Sequence, residues 1–282
     1  ELGSRQWDIP QLRKLLENII PHNTSFENYV VDHDFSPNGK RIMILNARQV
    51  QRSFDKEKFI LLAIEDVTER KLAEEKLAKT LDKLRKSLIG TIQALSLMVE
   101  SKDPYTTGHQ KRVSNLARNI AQQMGLPNDT VENIRLAGTI HDIGKISVPI
   151  EILVKPGKLS DIEFNLIKTH SKKGYEILKD SGLNFPIAET VLQHHERLNG
   201  SGYPYGLKGE EILLEARILA VADVIEAISS YRPYRPAVGI DAAIGEIEKN
   251  KGVLYDEKVV DACIKLFRER GFNFEAYNVE HK

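Results

Sequence analysis

Five of the chain's eight histidines stand within a span of 87 residues in a fixed company: His109, the pair His141-Asp142, His170, the pair His194-His195, and then Asp223. The segments around them read as helix, yet each lies beside polar or small neighbours and not in an apolar stripe. One such histidine is ordinarily an exposed or hydrogen-bonded side chain. The ordered set points elsewhere, because imidazole with carboxylate suits Fe, Mn, Zn or Ni, and carboxylate with water suits Mg and Mn. Adjacent side chains on a helix diverge by about 100°. His194 and His195 can therefore flank one ion, and His141 and Asp142 are adjacent in the same way. Asp142 has two oxygens and can bridge two metals. Asp223, in AVADVIEA, reads as a carboxylate inside a largely apolar helical stretch. Buried there, it must be paired or bound to metal.

The rest of the chain bounds what surrounds this set. At 282 residues it is too long for one average domain and suggests two. A hydrophobic content of 41% with 28% charge fits a globular protein with a real core. The formal net charge is zero, so nothing global points to a nucleic-acid polymer or an anionic membrane as partner. The single cysteine, Cys263, excludes a disulfide framework and a thiolate cluster, and suits a reducing cytoplasm. No apolar run approaches the roughly 18 residues a bilayer demands, so no membrane segment is expected in this chain. The opening ELGSRQWDIP lacks a signal-peptide core and reads as the inside of a domain, which marks the sequence as a fragment of something longer.

Three regions separate by pattern, so the fold class is multi-domain. Residues 1–66 combine a helical stretch, IPQLRKLLENII, with three strand-like ones in FENYVVDHDF, RIMILNARQV and KFILLAIEDV. The turns between the strands are SPNGK and SFDKEK, giving a small α+β module. Residues 67–100 contain no proline, and Leu77, Leu81, Leu84 and Leu88 follow one another by four, three and four, with Leu95 and Met98 extending the series. That heptad seam predicts a coiled-coil helix that makes a parallel homodimer. Residues 101–282 read as all-α. There Ser160 and Glu163 form a capping box for the helix running to His170. Asp103 or a threonine is positioned to cap the helix through RVSNLARNIAQQM, and FPIAETVLQHHERL reads as one helix.

The order His109, His141-Asp142, His170, His194-His195, Asp223 resembles the HD superfamily of metal-dependent phosphohydrolases. HHERLNGSGYP, with the later SSYRPYRPA, resembles one branch of it, the HD-GYP domain, over about residues 90–275. The resemblance implies an all-helical domain with a di- or trinuclear metal centre that hydrolyses cyclic di-GMP, some members acting on related cyclic dinucleotides. It puts His109, His141, Asp142 and Asp223 around one metal. His170, His194 and His195 hold the second, with Asp142 bridging. Trinuclear members add a glutamate four residues before the first histidine. Tyr105 stands there, so two divalent ions are expected, Fe or Mn before Mg, Ni or Zn, with Glu100 and Asp103 as further carboxylates nearby. The chain departs from the family at Asn199 and Glu226, where aspartate is usual; neither is among the implied ligands.

Two ions about 3.5–4 Å apart align a hydroxide in line with a phosphodiester. Lys145, one turn after His141-Asp142, is a compact cation suited to neutralising a phosphate oxygen or orienting the nucleophile. Gly144 is read as ending the helix so that Lys145 turns inward. Glu196 and Arg197 are read as a pair supporting the ligand helix. Gly200 and Gly202 let the backbone approach a ligand or take positive φ, Tyr203 can stack on a guanine or bond a phosphate, and Pro204 stiffens the exit. Arg232 and Arg235, in YRPYRP, suit bidentate phosphate contacts and stacking on bases.

The front region, from FENYVVDHDF to FILLAIEDVTERK, resembles the C-terminal part of a PAS sensor, with Asp66 to Thr68 as its junction to an output helix. His22 and His33 are read as surface residues. The expected activity is cyclic di-GMP hydrolysis to pGpG and onward to GMP, controlled by the sensor through the dimeric helix. A non-catalytic cyclic di-GMP receptor requires a broken ligand set. An HD hydrolase of guanosine tetraphosphate or a deoxynucleoside triphosphate lacks the GYP turn and the RPYR segment. A purely structural helical adaptor has no need of the histidines.

Overall fold

A computed structural model describes residues 9–22, 25–35, 39–51, 58–102, 108–183, 186–230 and 239–274. Contacts divide the chain into two compact units, Glu1–Ser87 and Leu88–Lys282.

The first unit carries the expected helix and three strands. α1 spans Pro10–His22, β1 Ser25–Asp34, β2 Lys40–Gln51 and β3 Lys58–Asp66. The strands form one antiparallel sheet in the order β1-β2-β3. Pairing of β1 with β2 slips between Phe26 and Tyr29, where Asn28 takes φ 57° and donates its backbone N–H to the Asn46 side chain at 2.6 Å. Alternation along the strands turns one set of apolar residues inward: Val31 and Leu45 meet Phe35 and Leu12 of α1 in a small core. Val30, Phe59, Leu61 and Ile64 remain exposed. Residues 36–38 and 52–57, in the two turns, lie outside the described residues. At the junction, Thr68 donates its N–H and hydroxyl to the Asp66 carboxylate, while Val67 N–H reaches Ile42 O at 2.9 Å. The start of the next helix is thereby tied to β2, and these bonds hold the Asp66 carboxyl below its ordinary range.

That helix, α2, runs unbroken from Thr68 to Glu100, 33 residues. Leu77, Leu81, Leu84, Leu88, Leu95 and Met98 are 43–65% exposed. At its far end a different face, Ile92, Ser96, Val99 and Glu100, is buried. The sequence pattern sets 67–100 apart as a linker, but the second compact unit begins at Leu88, because Ile92 and Val99 belong to its core.

The second unit is helical: α3 (His109–Gln123), α4 (Asn128–Ile140), α5 (Ile150–Leu153), α6 (Asp161–Leu178), α7 (Ile187–Gln193), α8 (Leu214–Ser229), α9 (Ile240–Lys249) and α10 (Glu257–Glu269). No ladder of strands occurs among its described residues; two isolated bridges do, one joining Asn199 to Lys208. α3 packs on α4 and α8, and α6 packs on α7. Leu116, Ile120, Ile134, Ile140, Ile187, Ile218, Leu219 and Ile225 fill the core between them. The capping box of Ser160 and Glu163 opens α6 as expected. Asp256 caps α10 by accepting from the N–H groups of Lys258 and Val259. The helix expected over FPIAETVLQHHERL stops sooner: α7 ends at Gln193 and His194 forms its C-cap. α3 opens after Gly108 at φ 75° with no side-chain cap of its own, and Asp103 lies outside the described residues.

Candidate metal centre

Helix ends and two helix interiors supply the site. His109 is the first residue of α3. His141 and Asp142 follow the last turn of α4, and Lys145 sits in the short 3-10 helix Ile143–Ser147. His170 lies inside α6, His194 and His195 follow α7, and Asp223 lies in α8. His109, His141, Asp142, His170 and His194 are each at most 3% exposed. The five imidazoles form a chain, His109–His141–His194–His170–His195, with neighbouring ring centroids 5.0–5.3 Å apart.

Three groups of ligand atoms lie within 4.8 Å of one another: His109 with His141 and Asp223, His170 with His194 and His195, and His141 with Asp142 and His194. Asp142 faces both sides. Its Oδ2 is 3.5 Å from His141 Nε2 and 3.9 Å from His109 Nε2, while its Oδ1 is 3.6 Å from His170 Nε2. Asp223 Oδ1 lies 3.3 Å from His109 Nε2. Lys145 Nζ donates to Asp142 Oδ2 at 2.7 Å.

The opposite ring nitrogens explain why the Nε2 atoms point inward. His141 Nδ1 meets Gly138 O at 2.8 Å, His170 Nδ1 meets Ile167 O at 2.7 Å, and His194 Nδ1 meets Val191 O at 2.5 Å. Each backbone carbonyl accepts the Nδ1 proton and leaves an Nε2 lone pair free for a ligand. His109 uses a side chain for the same purpose: its Nδ1 pairs with Glu226, which also accepts from Arg112 Nε at 2.7 Å and from the Ser230 hydroxyl at 2.7 Å. Glu226 is 1% exposed, more deeply buried than Asp223 in the same helix. The sequence singles it out only as a departure at a non-ligand position. Its spacing of three from Asp223 was the available signal, since that spacing puts both on one helix face.

Electrostatics follow from burial and partners. Burial disfavours charge on His194 and, with the neighbouring His141 and His170, pushes it down to about 3. His195 and His170 are likewise lowered by burial. These three are neutral donors at neutral pH. Burial also opposes charge on Asp142 and Asp223. Lys145 and the imidazoles overcome this for Asp142, and His109 does so for Asp223, holding both carboxyls well below their ordinary range. Burial acts against a proton on His109, but its bonds to Asp223 and Glu226 outweigh it and raise the group to about 9. Once an ion displaces the proton that His109 holds, five imidazoles and two ionised carboxylates, one with an oxygen toward each cluster, are a donor set that fits divalent ions.

Residues 93–259, more than half of the chain, match the HD domain family. The chain belongs to the HD domain family. It is 41% identical over 204 residues to the cyclic di-GMP phosphodiesterase response regulator RpfG of Xanthomonas campestris pv. campestris, covering 71% of this chain and 54% of that protein. A cyclic di-GMP phosphodiesterase of Thermotoga maritima is 43% identical over 186 residues, covering 64% of this chain and 50% of its own length. The 3'3'-cGAMP-specific phosphodiesterase 3 of Vibrio cholerae is 37% identical over 174 residues, 62% of this chain and 38% of its own. The chain thus spans about half the length, or less, of the curated relatives it matches.

Beside the centre of this HD domain lies the loop of HHERLNGSGYP. Tyr203 stacks on His195, centroids 4.7 Å apart and planes 28° apart, and burial raises its phenol above the ordinary range, so it stays protonated. Gly200 takes φ 81°, while a Cβ on Gly202 would stand 2.4 Å from Glu196 Cα. One glycine therefore serves a turn and the other a close backbone approach. The expected pairing of Glu196 with Arg197 is not what the side chains do. The Glu196 carboxylate accepts from the N–H groups of Tyr205 and Leu207 at 2.7 and 3.0 Å, so it holds the loop. Arg197 donates to the carbonyls of His194 and Glu196 and lies over the ring of Tyr255. Adjacent side chains leaving a helix end diverge, which separates the two.

Gly144 also has a different reason from the expected one. It sits within the 3-10 helix, where a Cβ would meet His170 O at 1.9 Å. Its small size lets the backbone carrying Lys145 press against the backbone carrying His170. Glu100 caps α3 in the absence of a local cap, accepting from Gly108 N–H and Gln110 N–H. Arg232, Arg235 and Tyr105 lie outside the described residues. His33 is exposed, as expected.

Proposed function

We propose that the chain is a metal-dependent phosphodiesterase that hydrolyses cyclic di-GMP to pGpG and then to GMP. Asp142 carries the reading: its two oxygens face two different histidine clusters, and one of them also accepts from Lys145. The names of relatives 41–43% identical to the chain support the substrate.

In this reading His109, His141, Asp142 and Asp223 hold one ion. His170, His194 and His195 would hold the second, with Asp142 offering one oxygen toward each. Fe or Mn fits the mixed imidazole and carboxylate donors, with Mg, Ni or Zn as alternatives. Bound there, two divalent ions supply Lewis acidity toward the phosphodiester and lower the pKa of the attacking water. Water adds across a P–O3' bond, leaving a 5'-phosphate and a free 3'-hydroxyl. The chain's own part is positioning and charge. The backbone carbonyls and Glu226 keep Nε2 of His109, His141, His170 and His194 directed inward. Lys145, aligned by Asp142, neutralises charge gathering on a non-bridging phosphate oxygen. Tyr203, neutral and stacked on His195, offers an aromatic surface to a guanine, with Arg232 and Arg235 as phosphate or base contacts.

We assign residues 1–66 as a partial PAS-like sensor and 67–100 as the coiled coil of a cytoplasmic homodimer. The antiparallel sheet, the hydrogen-bonded junction at Asp66 to Thr68 and the exposed leucine series support this. No helix among the described residues is long and apolar enough to cross a membrane.

A substrate panel tests the reading. Protein loaded anaerobically with Mn or Fe(II) is expected to cleave cyclic di-GMP with a kcat/KM at least about tenfold above 3'3'-cGAMP, a gap of about 1.4 kcal/mol in transition-state binding. Equal values would widen the substrate class to cyclic dinucleotides. Tight binding without cleavage of either would replace the enzyme by a receptor.

A further inference from the structure

The last turns of α2 and the two residues after it reach both sides of the centre. Ser96 hydrogen-bonds to the Gln110 side chain. The Glu100 carboxylate accepts from Gly108 N–H at 3.2 Å and Gln110 N–H at 3.1 Å, the residues on either side of His109. Lys102 Nζ donates to Ile146 O at 2.8 Å and Val148 O at 3.4 Å, in the segment directly after Lys145.

Each contact has a physical reason. The first N–H groups of a helix have no partner within it, and Gly108 brings no side chain to α3. An acid at a helix N-terminus is also favoured by the helix dipole. Glu100 supplies both from another element, and at 7% exposure its carboxylate is satisfied by those N–H groups. Lys102 answers unpaired carbonyls at the other end of a short helix in the same way. Neither element it ties is loose by itself: Gly144 is pressed against the backbone of His170, and Ile92 and Val99 anchor α2 in the core.

We propose that Glu100 and Lys102 are positioning residues for the reaction: Glu100 sets His109, and Lys102 sets the segment that carries Lys145. One helix end then fixes the first ligand and the phosphate-facing cation together. The same helix bears the exposed leucine series, so a shift of α2 along its axis would move both. The proposal rests on the phosphodiesterase reading, but its metal-binding half stands apart from it.

Four proteins test it: wild type, Glu100→Gln, Lys102→Met and Lys102→Arg, each assayed for metal stoichiometry, thermal midpoint, and kcat and KM on cyclic di-GMP. Lys102→Met should lower kcat by about tenfold or more with KM little changed, as expected for a misplaced group. Lys102→Arg should restore most of the loss. Glu100→Gln keeps one acceptor of two, and should weaken the ion beside His109 by about 10–100-fold. Its metal content should then fall from two per chain toward one. Folded Glu100→Gln and Lys102→Met proteins with wild-type kcat and two ions would overturn the proposal. A wild type inactive on cyclic di-GMP would overturn the phosphodiesterase reading, and metal stoichiometry would still decide the role of Glu100. Should Glu100→Gln fail to fold, Lys102→Met decides, since its side chain is only partly buried.

Discussion

His109 is held from two directions, by Glu226 on Nδ1 and by Asp223 and Asp142 facing Nε2. Replacing Glu226 with glutamine keeps the volume and one oxygen but removes the charge that aligns the ring. We expect kcat to fall by about 10–100-fold, the usual cost of losing a partner of a metal-bound histidine. Steady-state assays with metal counts check this, and unchanged kcat would show that Asp223 alone suffices to align the ring. Glu163 gives a prediction of another kind. Bonds from Lys155 and from Ser160 depress it to about 2 from an ordinary 4.5. A depressed carboxyl stabilises the fold fully above its unfolded pKa and loses that contribution as pH falls toward its folded one. Melting curves should therefore show Glu163→Gln below wild type above about pH 5, with the gap closing toward about pH 2. The seven residues that the structure brings together could be picked out in the sequence because histidine and aspartate are chemically distinctive and four of them come as two adjacent pairs. The roles of Glu226 and Glu100 could not, because the atoms they hold belong to other elements.

At the scale of elements, patterns with a period were readable and close approaches were not. The alternating strands of the first unit and the capping box of α6 follow from local chemistry alone. Gly144 reads as a helix terminator in sequence, yet the reason for it is the carbonyl of His170, 26 positions later and visible only once α6 is packed. The Glu196-Arg197 neighbours look like a pair until α7 ends at Gln193 and sends them apart. α2 shows both cases. Its leucine series predicts an apolar stripe, and the stripe is exposed, with Leu84 at 65%. A charge in a two-stranded seam is unfavourable, so Leu84→Asp should convert a dimer to a monomer in sedimentation at micromolar concentration and reduce activity. A dimer that survives, or a monomer with full activity, would remove the coil from the control of the centre.

The whole molecule joins a small antiparallel unit to a helical HD domain through one 33-residue helix. The helical half was the more readable because its histidines and aspartates stand in a distinctive order. The front half carries no such demand, and its α+β pattern fits many modules. The central claim is that Asp142 bridges two ions in a centre that cleaves cyclic di-GMP. The most direct measurement takes wild type and Asp142→Ala, purified without oxygen and loaded with Mn or Fe(II), counts metal per chain, and resolves the nucleotides by chromatography after adding cyclic di-GMP. Two ions per chain with pGpG or GMP in the wild type, and fewer ions with intact substrate in the variant, are the predicted result. Equal metal content and equal product from both proteins would contradict it.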